Sequence, residues 1–181
     1  MAQNGSTRRP QFGELSDVMT AMKVTSDGRI RPLRNDDVER MILIDQAHTG
    51  RSRRGFLGKR LKLAIERPQA FIHVGLEREG ELVGFAFARL LQGEFGRTEP
   101  TAALDLVGVA PGSQELGYGH ALIDGLLDAA RQQGVRHLQS EAEWTSHALL
   151  RFFDAMGFKL ATRIVLERRV SEPFEESVEE L

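Results

Sequence analysis

The stretch from residue 102 to residue 142 constrains the fold most. Ala102 to Val109 is a nearly continuous apolar run broken only by Asp105, which predicts a buried strand. The turn that follows carries Gly112, Gly117 and Gly119. From Gly117 to about Gln133 the apolar residues Leu122, Leu126 and Leu127 recur at helical spacing and predict an ordinary core face. His137 to Ala142 then reads as another strand. Strand, glycine turn, long helix and strand make a βαβ unit, so the chain contains mixed α/β structure.

The flanking segments extend this reading. Residues 1–28 are polar, punctuated by Gly5, Pro10, Gly13 and Gly28, and read as an N-terminal arm. Arg29 to Leu33 predicts a short strand near a sheet edge, because Pro32 cannot donate to a ladder. Asn35-Asp36-Asp37 caps a helix with Val38, Met41, Ile42 and Ile44 on one face. Phe56 to Ile65 reads as a second helix, ending before Pro68. Phe71–Leu76 and Leu82–Leu90 read as a hairpin turning at Gly80. Ser146 to Met156 is an amphipathic helix, Lys159 to Arg169 a last strand, and residues 171–181 an acidic tail. The expected order is β-α-α-β-β-β-α-β-α-β within one domain over residues 29–170.

Composition removes several classes of function. With no cysteine, a disulfide framework, a thiolate metal site and a catalytic cysteine are all excluded. The five histidines match no metal-ligand spacing and read as structural or surface residues. A net charge of −2 predicts no strong attraction to nucleic acid or to an anionic membrane. No apolar run approaches the roughly 20 residues of a membrane span, and a cytoplasmic protein is the expectation.

The turn Val109-Ala110-Pro111-Gly112-Ser113-Gln114-Glu115-Leu116-Gly117-Tyr118-Gly119-His120 is the chemically informative segment. Gly117 and Gly119 leave backbone N–H groups uncovered at the positive end of a helix, an arrangement suited to a pyrophosphate. Gln114 offers a further neutral donor. Gly117 and Gly119 serve equally well to shape a strand-to-helix turn. Other phosphate loops fit poorly: no Gly-Lys-Ser/Thr occurs, and Leu122 stands where a dinucleotide fingerprint needs its third glycine.

Gln114-x-x-Gly117-x-Gly119, preceded by Val109-x-Pro111, resembles the acyl-CoA-binding motif of the GNAT superfamily, Gln/Arg-x-x-Gly-x-Gly/Ala. Phe152-Phe153-Asp154-Ala155-Met156-Gly157-Phe158 resembles that family's aromatic-rich helix ending in Gly-Phe, and Ile30-Arg31-Pro32 with Asp36 or Asp37 its first strand and helix. The resemblance covers about residues 29–168. It implies a GNAT-like α/β domain, a mixed central sheet flanked by helices, in which the strands 102–109 and 137–142 splay to form an acyl-CoA cleft. It implies acetyl-CoA as cofactor, with pantetheine along Leu106 to Val109 and pyrophosphate at Gln114, Glu115, Leu116, Gly117, Tyr118 and Gly119. A backbone N–H near Val107 would polarise the thioester carbonyl. The implied activity is direct acetyl transfer to a primary amine, on a small molecule or a protein. Dimers are common among similar proteins, and no stretch of this sequence marks an interface.

An attacking amine must first lose a proton. Two acids stand where the family places such a base: Glu141, the first choice, and Asp105. Asp105 reads equally as a satisfied partner of an arginine or of a backbone group. The family's general-acid tyrosine is Phe153 here, and its helix-start asparagine is Ser146; both positions belong to the implied cofactor site. Tyr118, the only tyrosine, reads as a packing residue. Arg51 and Arg53, in the basic cluster ending at Arg54, fall where the acceptor pocket is shaped, or form a solvated helix start. Trp144 lines the acceptor site or caps the core. The missing tyrosine leaves a non-catalytic acyl-CoA-binding module as an alternative, and a nucleotide-binding domain unrelated to coenzyme A as a third reading.

Overall fold

The computed structural model describes residues 24–25, 28–96, 98–113 and 116–171. Its strands are β1 (Val24–Thr25), β2 (Gly28–Arg31), β3 (Phe71–Arg78), β4 (Glu81–Leu91), β5 (Thr101–Val109) and β6 (His137–Gln139). They form one sheet in sequence order, antiparallel except for the parallel β5–β6 pair. The helices are α1 (Val38–Thr49), α2 (Arg54–Glu66), α3 (Tyr118–Gln132) and α4 (His147–Ala155). β5, α3 and β6 are the expected βαβ unit: a parallel pair needs a crossover, and the helix supplies it.

The two sheet faces carry different helices. On one, Val74, Leu76, Ala86 and Leu104 meet Leu122, Ile123 and Leu126 of α3, with Phe153 of α4. On the other, Phe71, Phe85, Phe87 and Leu106 meet Met41 and Ile44 of α1 and Leu57 and Leu61 of α2. Strand alternation delivers this sorting, with Phe85 and Phe87 facing one side and Ala86 and Ala88 the other.

Arg31, buried at the end of β2, fastens the first helix to the sheet. Its guanidinium donates to both Asp37 oxygens at 2.7 and 2.8 Å and to Glu77 at 2.6 Å. Of the two acids the sequence offered there, Asp37 holds this position. Burial works against its charge, yet the Arg31 hydrogen bonds keep its carboxyl below the ordinary range.

Three observations revise the expected elements. β1 lies within the segment read as an N-terminal arm and pairs with β2, Val24 opposite Arg29. β6 stops at Gln139, so Glu141 sits beyond the strand rather than on it. Residues 159–169 are not a strand: they form no ladder, and Leu160, Ile164 and Leu166 are exposed. A strand is a non-local structure, and β6, three residues long, offers this segment little edge to pair with.

Candidate active site

The site begins with an irregularity in β5. Phe87 pairs with Leu106 and Ala88 with Leu104, so Asp105 is an extra residue opposite no partner, a β-bulge. The bulge exchanges the faces of the strand: Ala102 and Leu104 point to the α3 side, Leu106 and Ala110 to the α1–α2 side. It also marks where β5 and β6 part. Their ladder ends at Ala103 opposite Gln139, and the hydroxyl of Ser140 donates to the Leu104 carbonyl at 2.9 Å as a last link.

Beyond that link, β5 keeps only β4 as a ladder partner. Ala110 N–H donates to Val83 C=O at 2.8 Å. By antiparallel alternation Gly108 and Leu106 likewise face β4, while Val107 and Val109 turn their amides toward the gap. The Val109 carbonyl is 2.7 Å from His48 Nε2, so it already has a partner from the end of α1. Val107 is therefore the residue with both backbone groups directed into the cleft.

A cavity of about 460 Å³ passes through this gap. Asp45, Arg53, Phe85 and Arg89 line it from the α1–α2 face; Leu104, Asp105, Leu106 and Val107 from β5; Gln139, Ser140 and Glu141 from the departing segment; Leu149 and Phe153 from α4. It thus joins the two faces of the sheet, one with charged groups and the other apolar.

Asp105 holds a partly buried carboxylate with a charged partner. Arg60 of α2 lies 2.7 Å from its carboxylate, and its side chain is 29% exposed. Burial raises its pKa above the ordinary carboxylate value, while Arg60 and Arg89 pull the other way without cancelling the shift. Arg60 is itself fixed between the rings of Phe56 and Phe71, at 5.4 and 5.5 Å. Glu141 also lines the cavity, and as whole residues both it and Asp105 are exposed. Both candidate bases therefore border the same cavity, and only Asp105 is ion-paired to Arg60.

Between β5 and α3, Gly117 adopts φ 76°, a left-handed conformation that disfavours side chains. Among the described residues no side chain caps α3, so the N–H groups of its first turn are open to a partner. Gly119 has another reason for being glycine: an added Cβ would lie 2.8 Å from Phe152 Cε2. It is a packing glycine that lets α4 approach α3. Tyr118 has its side chain buried in the core at 3% exposure, as a packing residue would. Leu116 is exposed beside the helix start. Gln114 and Glu115 lie outside the described residues.

The remaining candidates separate. Arg53 lines the cavity and donates to both Asp45 oxygens, through Nε at 2.9 Å and through Nη2. Arg51 is exposed and does not line it, and Arg54 pairs with Glu39 on the surface. Trp144 is 82% exposed, so it neither caps the core nor lines this cavity. Ser146 precedes α4, makes no capping bond, and is likewise outside the lining. Phe153 is buried against Phe158 and presents only carbon to the cleft.

Asp45, Arg60 and Arg89 were missed by the sequence reading. Asp45 carried a signal: it follows Val38, Met41 and Ile42 at the next position of the same helical stripe, where a charge needs a partner. Arg60 and Arg89 carried none, because only the fold brings them to Asp105.

Among solved structures, aminoglycoside N-acetyltransferase AAC(6')-Iy, in complex with a bisubstrate analogue of coenzyme A, superposes with a TM-score of 0.69 at 16% identity, covering 80% of this chain and 99% of that one. Glucosamine-6-phosphate N-acetyltransferase from Arabidopsis thaliana gives 0.59 at 14% identity, covering 79% and 98%. These likenesses concern the fold. In sequence, the chain is 29% identical over 102 residues to mycothiol acetyltransferase of Acidothermus cellulolyticus, covering 51% of this chain and 31% of that relative. It is 26% identical over 99 residues to the ribosomal protein bS18-alanine N-acetyltransferase of Escherichia coli, covering 55% and 62%. The matches thus span less than two thirds of either relative's length. The sequence model of the acetyltransferase (GNAT) family matches residues 36–158, from the acidic turn before α1 to the Gly-Phe after α4. With the parted β5 and β6 and the glycine turn at α3 inside that span, the chain belongs to the acetyltransferase (GNAT) family.

Proposed function

We propose that the protein is an N-acetyltransferase that transfers the acetyl group of acetyl-CoA directly to a primary amine. The observation that carries this reading is the gap between β5 and β6, with Asp105 on its charged side and the Val107 amide at its centre. Acetyl-CoA supplies the acyl group in activated form, as a thioester. The Val107 N–H would hold the thioester carbonyl oxygen and stabilise the negative charge it gains under attack. Asp105, directly or through water, would take the proton from the attacking amine, a role its raised pKa suits. The open N–H groups at the start of α3 would hold the pyrophosphate. Leu149 and Phe153 would exclude water on the apolar side.

Phe153 cannot protonate the departing thiolate. A thiol resembling cysteine, with pKa about 8.5, leaves tolerably without full protonation, and solvent completes the step. The same residue favours a second reading, an acyl-CoA-binding module without transferase activity.

Calorimetric titration of acetyl-CoA, paired with thiol release in the presence of an amine panel, separates these readings. Micromolar binding with thiol release dependent on both amine and Asp105 supports the enzyme. Binding without release on any amine supports the module. No binding to folded protein overturns both.

A further inference from the structure

The charged groups around the cavity are unequally committed. Asp45 is fully engaged, both oxygens accepting from Arg53. Asp105 is engaged by Arg60. The arginines of the lining are not used up in the same way. Arg53 spends Nε and Nη2 on Asp45, and its Nη1 has no hydrogen bond among the described residues. Arg89 is 47% exposed, and its ion pair with Glu94 is long, at 3.7 Å.

These donors share one side of the cleft. Arg89 follows Phe85 and Phe87 at alternate positions of β4, on the face covered by α1 and α2, and Arg53 leads into α2. Both arginines line the cavity that Asp105 and Glu141 also line. The cavity therefore offers an ammonium group two carboxylates, and offers an oxyanion the open guanidinium edges of Arg53 and Arg89.

We propose that the acceptor is a small amine bearing an oxyanion, carboxylate or phosphate, a few bonds from its nitrogen. Arg89 and Arg53 hold the oxyanion while the amine faces Asp105. This rests on the transferase reading above. Guanidinium forks match the planar or tetrahedral oxyanions of such groups and bind them more strongly than neutral partners. A polycationic acceptor would instead set further positive charge against Arg53, Arg60 and Arg89, with Asp45 already closed. A peptide N-terminus whose first side chain is not acidic carries no oxyanion beside its amine and would leave these donors unanswered.

The test compares amines that differ in the anionic group: β-alanine and phosphoethanolamine against ethylamine and putrescine, followed by thiol release from acetyl-CoA. The acid-bearing amines should exceed the others in kcat/KM by at least about 10-fold, as hydrogen bonds to charged groups allow. Arg89→Met and Arg53→Met should each compress that ratio, and Arg89→Lys should restore part of it. Whether β-alanine or phosphoethanolamine leads identifies the oxyanion. Equal use of ethylamine, or an undiminished ratio in Arg89→Met, overturns the proposal. A calorimetric arm stands apart from catalysis: N-acetyl-β-alanine should bind the wild type at least about 10-fold more tightly than N-acetylethylamine, and less tightly to Arg89→Met. Equal affinities overturn the acceptor class even if transfer occurs. Selective binding without acetyl-CoA binding upholds the anion site and removes the transferase reading instead.

Discussion

Arg60 of α2 and Asp105 of the β5 bulge form an ion pair at 2.7 Å that crosses from helix to sheet. The bulge leaves Asp105 without a ladder partner, and the Phe56 and Phe71 rings hold Arg60 beneath it. Burial raises the carboxyl pKa while Arg60 lowers it, so the pair sets the protonation state of the proposed base. Asp105→Asn should lower kcat by about 100-fold or more, the usual scale for a lost general base, with acetyl-CoA affinity nearly unchanged. Steady-state kinetics alongside calorimetry separates the two effects.

The same pair predicts a pH shift. The base acts only when ionised, so kcat/KM should rise with pH through the Asp105 pKa, above the ordinary carboxylate range. Arg60→Met removes a cation that stabilises the ionised form and should move this limb to higher pH. A pH–rate profile that stays in place would separate Asp105 from the titration that controls rate.

Gly117 and Gly119 should respond differently to alanine. At Gly119 the new Cβ meets Phe152 at 2.8 Å, and the α3–α4 contact must yield, costing about 1–3 kcal/mol as core overpacking does. At Gly117 no atom of the described residues beyond its chain neighbours lies within 4 Å of the added Cβ, so the cost is that of the left-handed backbone, about 1–2 kcal/mol. Chemical denaturation measures both. A cofactor-binding defect in Gly117→Ala without loss of folding would mark the turn as a binding element.

His73 makes stability depend on pH. It is buried beside Phe87, its Nδ1 accepts the Leu33 amide at 3.2 Å, and burial lowers its pKa to about 4 despite the nearby Asp37 charge. Between about 4 and 6.5 the unfolded chain binds a proton here that the native state refuses. Stability contributed by the neutral ring is therefore complete above 6.5 and is lost as pH falls toward 4, by about 3 kcal/mol in all. Urea midpoints across this window should fall for the wild type and flatten for His73→Gln, which retains an acceptor.

The Asp45–Arg53 pair should behave as a coupled unit. Asp45 is 6% exposed and Arg53 30%, so removing either leaves its partner partly buried and unpaired. A double-mutant cycle of Asp45→Ala and Arg53→Met should give a coupling of about 1–3 kcal/mol. Additive effects would mean the pair contributes nothing beyond its separate contacts.

The sequence by itself determined the elements whose patterns are local. The apolar run before Gly117, the helical spacing of Leu122 and Leu126, and the hairpin around Gly80 each encode their structure within a few residues, and the βαβ unit follows from their order. Asp105 was visible as a charge in an apolar strand. What it does there was decided by tertiary structure: only the register against Phe87 and Ala88 makes it a bulge, and only the packing of α2 brings Arg60 to it. Tertiary contacts likewise left Glu141 exposed, set Arg53 on Asp45 rather than in solvent, and withheld a ladder from residues 159–169. Periodicity records which face of an element is apolar. Ladder register, helix docking and the partner of a charge depend on residues distant in sequence, and no local pattern carries them.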